Sequence, residues 1–354
     1  MTPGATPPSP TPQLAPHAPL AVALGDPSGI GPELIVAAWS ALHSDRDVTH
    51  PFFAVGGIEV LRAAAHMRGL DCPIIPIAEA AEAPMAWPVG LPVLAGIDVD
   101  YTPGTPSPEG ARVALTSLEW ATQIALRGDA AGLVTAPVAK AELTAIGFQF
   151  PGQTEFLSAA CGRKPSDAVM MLAGPSLRTV PITVHCALSE VPARLTPELI
   201  IHKTVVTHLA LKRDFGIAKP RLAMAALNPH AGENGQFGDE EARLIAPAIK
   251  ALRESGVDVS GPVPGDALFM PRARSTYAAA LCMYHEPALL PLKALEVDEG
   301  VNVTLGLPII RTSPDHGTAF DIAGKRKADP GAMIAAIRMA CACASARTAI
   351  PAHG

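Results

Sequence analysis

From residue 19 onward, short apolar segments alternate with longer segments that repeat apolar residues at helical spacing. The short segments have the length and the bounding glycines or prolines of buried strands. We predict strands at 20–24, 51–55, 132–135, 168–172, 178–185, 221–226 and 279–284. We predict helices at 34–42, 58–67, 108–127, 196–211 and 239–252 and after Pro330. Strands that alternate with helices predict an α/β fold with a mostly parallel sheet, divided into two domains by a cleft.

Charge and composition exclude several classes of protein. The 354 residues include 27 Lys and Arg against 33 Asp and Glu, without long runs of one sign, so nucleic-acid or membrane-surface binding is not expected. No uncharged apolar run approaches the roughly 18 residues of a membrane span, and the N-terminus lacks the pattern of a secretory signal. The six cysteines form no CxxC pair, which favours a reducing compartment. We therefore expect a soluble, cytoplasmic protein.

Three histidines lie where open α/β sheets place their functional sites. His185, His230 and His285 each end or follow an apolar predicted strand. Three neutral imidazoles at one edge of a sheet would suit a divalent metal with a position left open for water or substrate. Each histidine could instead be a hydrogen-bonded residue at a strand end. From the residues alone, the two interpretations are about equally good.

Other polar residues could contact an anionic ligand. Arg311 ends the segment GLPIIR and offers a planar fork for phosphate or carboxylate, whereas Lys293 offers a mobile point charge. Asn302 in VNVT could hydrogen-bond the same ligand. Gln153 and Thr154 stand in GQTEF at a predicted helix start. The alternatives are surface charges and an ordinary helix N-cap at Thr154.

Two glycine-containing loops are candidates for nucleotide binding. The loop at 314–325, PDHGTAFDIAGK, could wrap an adenine ring, with Asp321 accepting a hydrogen bond from a ribose hydroxyl. The alternative is a structural loop before a helix. The loop at 25–33, GDPSGIGPE, lacks the GxGxxG spacing and is a weak dinucleotide motif.

Together these motifs resemble the 4-hydroxythreonine-4-phosphate dehydrogenase family of vitamin B6 biosynthesis. The resemblance runs from Pro19 to about Ala344 and rests on GDPSGIGPE, TAPVAK, GQTEF, LNPHAGENGQFGDEE, GDALF and the block from MYHEP to DIAGK. It implies a fold like that of isocitrate and isopropylmalate dehydrogenases, and a homodimer whose active site is shared between subunits. It divides the chain into a cofactor-binding domain, 19–146 with 306–354, and a substrate, metal and dimerisation domain, 147–305. Residues 1–18, with six prolines, predict a disordered tail.

The resemblance also implies a role for individual residues. The expected ligands of a divalent metal, whether zinc, cobalt or magnesium, are His185, His230 and His285. The expected substrate contacts are Gln153, Thr154, Lys293, Asn302 and Arg311. The expected contacts to the adenosine of NAD or NADP are His316, Gly317, Thr318, Ala319 and Asp321. The candidates for the catalytic base are Asp266 and Lys293.

The implied reaction is the NAD-dependent oxidation and decarboxylation of 4-phosphohydroxy-L-threonine to 3-amino-2-oxopropyl phosphate, in pyridoxal phosphate biosynthesis. Alternatives are a dehydrogenase of another four-carbon phosphorylated sugar acid or of a cis-dihydrodiol, a metal-dependent hydrolase, and a non-catalytic ligand-binding relative. A diol enzyme would not need a phosphate anchor, and a hydrolase would leave the loop at 314–325 without a role.

The chain departs from the family pattern at two places. Gln153 stands where the family commonly has histidine, and an amide cannot become cationic to bind phosphate. Glu286 and Pro287 follow His285 in place of the usual Asp-Gln, which moves a carboxylate near the metal by one methylene. These differences bear on the identity of the substrate more than on the type of reaction.

Overall fold

The computed structural model describes residues 11–12, 15, 17–45, 48–296 and 298–349. Most of the predicted tail at 1–18 lies outside the described residues. The strands are β1 (Leu20–Ala23), β2 (Phe52–Val55), β3 (Ile74–Ile77), β4 (Leu91–Leu94), β5 (Gly132–Thr135), β6 (Val169–Ala173), β7 (Arg178–Pro181), β8 (Leu222–Ala225), β9 (Val259–Val263), β10 (Ala279–Cys282), β11 (Val301–Leu305) and β12 (Arg311–Pro314).

The α-helices between the strands are mostly amphipathic, and several begin with a proline in their first turn. They are α1 (Gly31–Leu42), α2 (Ile58–Arg68), α3 (Ala83–Ala86), α4 (Pro108–Arg127), α5 (Lys140–Ala145), α6 (Gln153–Ala160), α7 (Val191–Arg194), α8 (Pro197–Arg213), α9 (Ala246–Glu254), α10 (Gly265–Leu268), α11 (Pro271–Arg274), α12 (His285–Leu295) and α13 (Gly331–Ala349). Ser107 and Thr196 cap α4 and α8, each accepting from a backbone N–H of the first turn.

The chain divides into two compact units. The first consists of Met1–Ala168 and Leu307–Gly354, and the second of Val169–Gly306. The first unit extends beyond the boundary expected at residue 146 because α6 packs into its core: Leu157 and Cys161 are buried with Leu133 of β5. Gln153 and Thr154, expected in the substrate domain, therefore belong to the first unit.

The first unit has the strand order β3-β4-β2-β1-β5-β12. Every pairing among these strands is parallel, and β1 lies between β2 and β5, with Leu20 paired to Phe52 and to Gly132. In the second unit the order is β11-β6-β7-β10-β8-β9. Here β6 is antiparallel to both β11 and β7, and the remaining pairs are parallel. The predicted α/β class with a mostly parallel sheet is confirmed.

The helix α13 is long and apolar enough to cross a membrane by length and composition alone. It carries Arg338, whose guanidinium pairs with Asp45 at 2.8 Å, and its buried residues include Met333 and Ile337. Its Ala336 carbonyl accepts from the Thr312 hydroxyl of β12 at 2.8 Å. These contacts pack α13 against the sheet of the first unit.

Candidate active site

Two of the three candidate metal ligands lie together in the second unit. The ring centroids of His185 and His285 are 6.0 Å apart. They follow the neighbouring parallel strands β7 and β10, whose backbone pairing continues past the strand ends through Ile182 N to Cys282 O (2.8 Å) and Thr183 N to Met283 O (3.2 Å). This pairing brings the two residues to the same edge of the sheet.

The surroundings of the pair leave a polar atom unsatisfied. His285 begins α12, and its Nδ1 is buried without a hydrogen-bond partner within the described residues. A small pocket beside it is lined by both histidines, Tyr284 and Glu286. The predicted strand 178–185 is too long: β7 ends at Pro181, and His185 stands in a bend with a left-handed φ of 52°.

His230 follows β8, the strand on the other side of β10. It is exposed, and its ring lies against Phe237 with centroids 6.0 Å apart. Among the described residues, no three His, Cys, Asp or Glu side chains are grouped closely enough to hold a metal. The fold thus aligns three histidines at the ends of three adjacent parallel strands, but within one chain only His185 and His285 are near neighbours.

The first unit holds a buried cation. Arg311 is 5% exposed, and its Nη2 donates to Oγ1 of Thr135 at 2.8 Å and to Oε1 of Gln153 at 3.0 Å. Burial lowers the pKa of Arg311 to about 10, and nearby Glu155 opposes this shift. The guanidinium therefore stays charged at neutral pH while its Nη2 is fixed by two neutral oxygens. Gln153 Nε2 donates in turn to Ala136 O at 3.4 Å.

These contacts arise where β5, β12 and α6 meet within the first unit. Thr135 is the last residue of β5, and Arg311 is the first residue of β12, which pairs with β5 in parallel. Gln153 is the first residue of α6, after Gly152 in extended conformation at the N-cap. The alternative of an N-cap at Thr154 is therefore wrong, because Thr154 lies inside the first turn.

The loop at 314–325 packs on the loop at 25–33. The backbone N–H of Ile30 donates to Thr318 O at 2.9 Å, and a Cβ added to Gly29 would meet that carbonyl at 2.9 Å. Glu33, fully buried, accepts from Gly324 N at 2.5 Å. The loop at 25–33 thus supports the loop at 314–325. In the latter, His316, Gly317 and Asp321 remain exposed.

The remaining candidates lie on the second unit. Lys293 is exposed on α12, two turns after His285, and Asp266 is exposed on the short helix α10. Asn302, half-buried in β11, pairs with Leu172 of β6.

Comparison with known proteins places the chain in a family. The family model of the pyridoxal phosphate biosynthetic protein PdxA matches residues 47–340. A 4-hydroxythreonine-4-phosphate dehydrogenase from Erythrobacter litoralis is 57% identical over 332 residues, which cover 94% of this chain and 98% of that protein. The chain belongs to this family.

Solved structures agree with membership in the 4-hydroxythreonine-4-phosphate dehydrogenase family. The crystal structure of the Klebsiella pneumoniae enzyme of that name has a TM-score of 0.82 and 36% identity, and the match covers 92% of this chain and 98% of that chain. A terephthalate 1,2-cis-dihydrodiol dehydrogenase from Burkholderia xenovorans is more distant, with a TM-score of 0.64 and 26% identity, over 91% of this chain and 97% of that chain. The family resemblance inferred from the motifs is confirmed.

Three residues that support the candidate site residues are not predicted from the sequence. Thr135 lies in TAPVAK, Glu33 in GDPSGIGPE, and Glu241 in the segment after His230. All three are buried and accept hydrogen bonds from the candidate residues or from the backbone beside them. The one available signal was their presence inside motifs that also contain candidate residues.

Proposed function

We propose that this protein catalyses the NAD- or NADP-linked oxidation and decarboxylation of 4-phosphohydroxy-L-threonine to 3-amino-2-oxopropyl phosphate, a step of pyridoxal phosphate biosynthesis, in the cytoplasm. The observation that carries the proposal is 57% identity over 94% of the chain with an enzyme named for oxidising this substrate. The 26% identity with a dihydrodiol dehydrogenase makes that alternative much weaker. A hydrolase is not represented among these relatives.

We further propose that His185, His230 and His285 hold a divalent cation. The unsatisfied Nδ1 of His285 supports this, since a buried polar atom without a partner is costly and often marks an ion or water. Three imidazoles suit zinc or cobalt better than magnesium. Because the described residues of one chain do not group all three histidines, the set would be completed in a homodimer.

The residues of the first unit would bind the charged and nucleotide parts of the reactants. Arg311 would hold the phosphate, with its plane fixed by Thr135 and Gln153, and Thr154 would add a hydroxyl in the first turn of α6. The adenosine would lie on the loop from His316 to Asp321. When bound, the cation would supply Lewis-acid stabilisation of developing negative charge, and the nicotinamide would accept hydride.

The residues of the second unit would orient the substrate and move its protons. Asn302 is suited to hydrogen-bond a substrate hydroxyl or carboxylate, and Lys293 to pair with an anionic group. Proton removal from the substrate hydroxyl requires a base, for which Asp266 and Lys293 are the candidates. Both are exposed in the described chain, so each can exchange protons with water.

A substrate panel tests the proposal. The purified protein is mixed with NAD or NADP and with 4-phosphohydroxy-L-threonine or four-carbon phosphorylated acids that lack the amine, while reduced nicotinamide and carbon dioxide are measured. We expect both products with the first substrate, loss of both after chelation, and recovery with zinc or cobalt. His285→Ala should abolish turnover, whereas His66→Ala, on the exposed face of α2 in the first unit, should not. No reduced nicotinamide with any of these acids would overturn the proposal.

A further inference from the structure

The backbone that carries His230 is unusual. From His230 to Asn234, five successive residues have left-handed φ angles of 53°, 55°, 77°, 39° and 56°. Four of them are not glycine, and residues with a Cβ adopt this conformation at a cost in energy. Such a segment persists only where the surrounding structure holds it, and such strain is concentrated at functional sites.

Asn228 is the point at which this segment is held. Its side-chain amide Nδ2 donates to Oε2 of Glu240 at 2.7 Å and to Oε2 of Glu241 at 3.0 Å. Its backbone N–H donates to Oε1 of Glu241 at 2.7 Å, and its carbonyl accepts from Ala231 N at 3.2 Å. The side chain and backbone of Asn228 are therefore fixed two residues before His230.

Glu241 is the main acceptor in this arrangement. It is 6% exposed, and its Oε1 also accepts from Leu227 N at 2.8 Å. One carboxylate thus receives three N–H groups from Leu227 and Asn228, two of the three residues that link β8 to Pro229. It lies at the start of the helical segment Glu241–Ile245, which continues into α9, so it is a firm attachment point.

Glycines allow the loop to approach the Glu241 carboxylate and the Asn228 amide closely. A Cβ added to Gly232 would lie 2.9 Å from Oε2 of Glu241, and one added to Gly238 would lie 2.5 Å from Nδ2 of Asn228. Both glycines have left-handed φ angles, 77° and 124°. The segment between β8 and Glu241 is therefore packed against Glu241 and Asn228 at these two glycines and is not an independent surface turn.

We propose that Glu241 is a positioning residue for His230: by fixing Leu227 and Asn228, its carboxylate sets where the His230 imidazole lies and so how tightly the metal is bound. This inference rests on the proposed function, because it takes His230 to be a metal ligand. Glu240 is the natural comparison. It contacts the same Asn228 amide, but it is only half-buried and accepts from neither backbone N–H.

Metal binding by the full-length apoprotein tests the proposal, with zinc or cobalt alone as the probe in calorimetry. We expect Glu241→Ala to weaken affinity about 10-fold to 100-fold, the range found when groups that orient metal ligands are removed. Glu241→Gln should recover much of this loss, because its amide oxygen can still accept from both backbone N–H groups. Glu240→Ala should stay within about threefold of the unmodified protein, since it removes one contact to Asn228.

The controls separate this inference from the function on which it rests. If His230→Ala weakens metal binding but Glu241→Ala does not, the positioning role is wrong and the metal site stands. If His230→Ala leaves the affinity unchanged, the metal role proposed for His230 is itself wrong. Should Glu241→Ala not fold, Glu241→Asp decides, because its shorter carboxylate cannot reach both backbone N–H groups: an affinity between those of the unmodified protein and His230→Ala supports the inference, and an unchanged affinity overturns it.

Discussion

Among the described residues, two lysine or arginine side chains are buried, one in each unit. Arg311 in the first unit is 5% exposed, and Lys203 of α8 in the second unit is 9% exposed. Burial lowers the pKa of Arg311 to about 10 and that of Lys203 to about 8. Both side chains have lost their hydration, yet their surroundings differ in kind.

Arg311 has side-chain hydrogen-bond acceptors oriented towards it, whereas Lys203 has only a backbone carbonyl in the described chain. Two side-chain oxygens from different elements accept from one guanidinium nitrogen of Arg311. Lys203 donates to the Pro181 carbonyl at 3.3 Å, and no carboxylate pairs with it in the described chain. A buried charge with oriented partners costs less and is available to bind an anion, and a buried charge without them mainly lowers stability. The contrast supports the ligand-binding role that we propose for Arg311, and it predicts that Lys203 lowers stability.

Replacing Arg311 with lysine, so that the buried cation of the first unit resembles Lys203, should give the largest effect on activity. In Arg311→Lys, a single ammonium cannot reproduce the planar contacts to Thr135, Gln153 and a phosphate together. We expect kcat/KM for 4-phosphohydroxy-L-threonine to fall by about two to three orders of magnitude. Because a buried lysine loses its proton readily, as Lys203 illustrates, activity should fall further above about pH 8. Steady-state kinetics from pH 6.5 to 9.5 would measure both effects.

Arg62→Lys is the matched control, since Arg62 is 47% exposed and pairs with Glu59 on the surface of α2 in the same unit. It should have nearly unchanged kinetics. If Arg311→Lys retained more than a third of kcat/KM with the same pH profile, the ligand-binding role of Arg311 would be wrong.

Removing the second cation should stabilise the protein. The folded-state pKa of Lys203, about 8, lies below its ordinary value of 10.5, so the unfolded chain binds more protons between these values. The penalty is fully present below pH 8 and disappears as the pH rises towards 10.5. At about 1.4 kcal/mol per pKa unit the penalty is on the order of 3 kcal/mol, and the lost bond to Pro181 offsets about 1 kcal/mol.

We therefore expect Lys203→Met to raise the free energy of unfolding by roughly 2 kcal/mol at pH 7, and by less at pH 9.5. Urea unfolding at both values measures the change. Lys250→Met on α9 is the control, because Lys250 is 79% exposed. A stabilisation that grows between pH 7 and pH 9.5 would show that the sign of this contribution is wrong.

The sequence predicts the strands and helices of the fold better than the buried residues that hold the candidate site residues in place. Strong apolar runs predict β1, β5 and β10. In β12 (RTSP) and β11 (VNVTL) the polar residues hide the strand pattern and favour a ligand-binding interpretation instead. The histidines were recognisable because they follow apolar runs. Glu241 was not, because its role depends on hydrogen bonds to residues 13 and 14 positions away.

The left-handed backbone at His230 was also beyond sequence reasoning. Local preference predicts positive φ for glycine, and here a histidine, an alanine, a glutamate and an asparagine adopt it. Tertiary contacts from Glu241 and Asn228 override that preference. What the spacing of residues can predict is which side chains reach one edge of a sheet; it does not predict which buried partners hold them there.

The smallest expected effect comes from Gln153→His, which restores the residue common in the family. The Gln153 amide accepts from Arg311 and donates to Ala136 O, and a neutral imidazole can do the same with its two nitrogens. At pH 8 we expect kcat/KM within about threefold of the unmodified enzyme.

Below about pH 6.5 the imidazole of Gln153→His becomes cationic. It then loses its acceptor for Arg311 but gains attraction for a phosphate. The KM ratio of variant to unmodified enzyme should therefore fall as the pH is lowered from 8 to 6, since titrations shared by both enzymes cancel in the ratio. A ratio that is flat over this range would mean that residue 153 acts only by holding Arg311 and does not contact the phosphate, and the difference between the two buried cations would then depend on Arg311 and Thr135 alone.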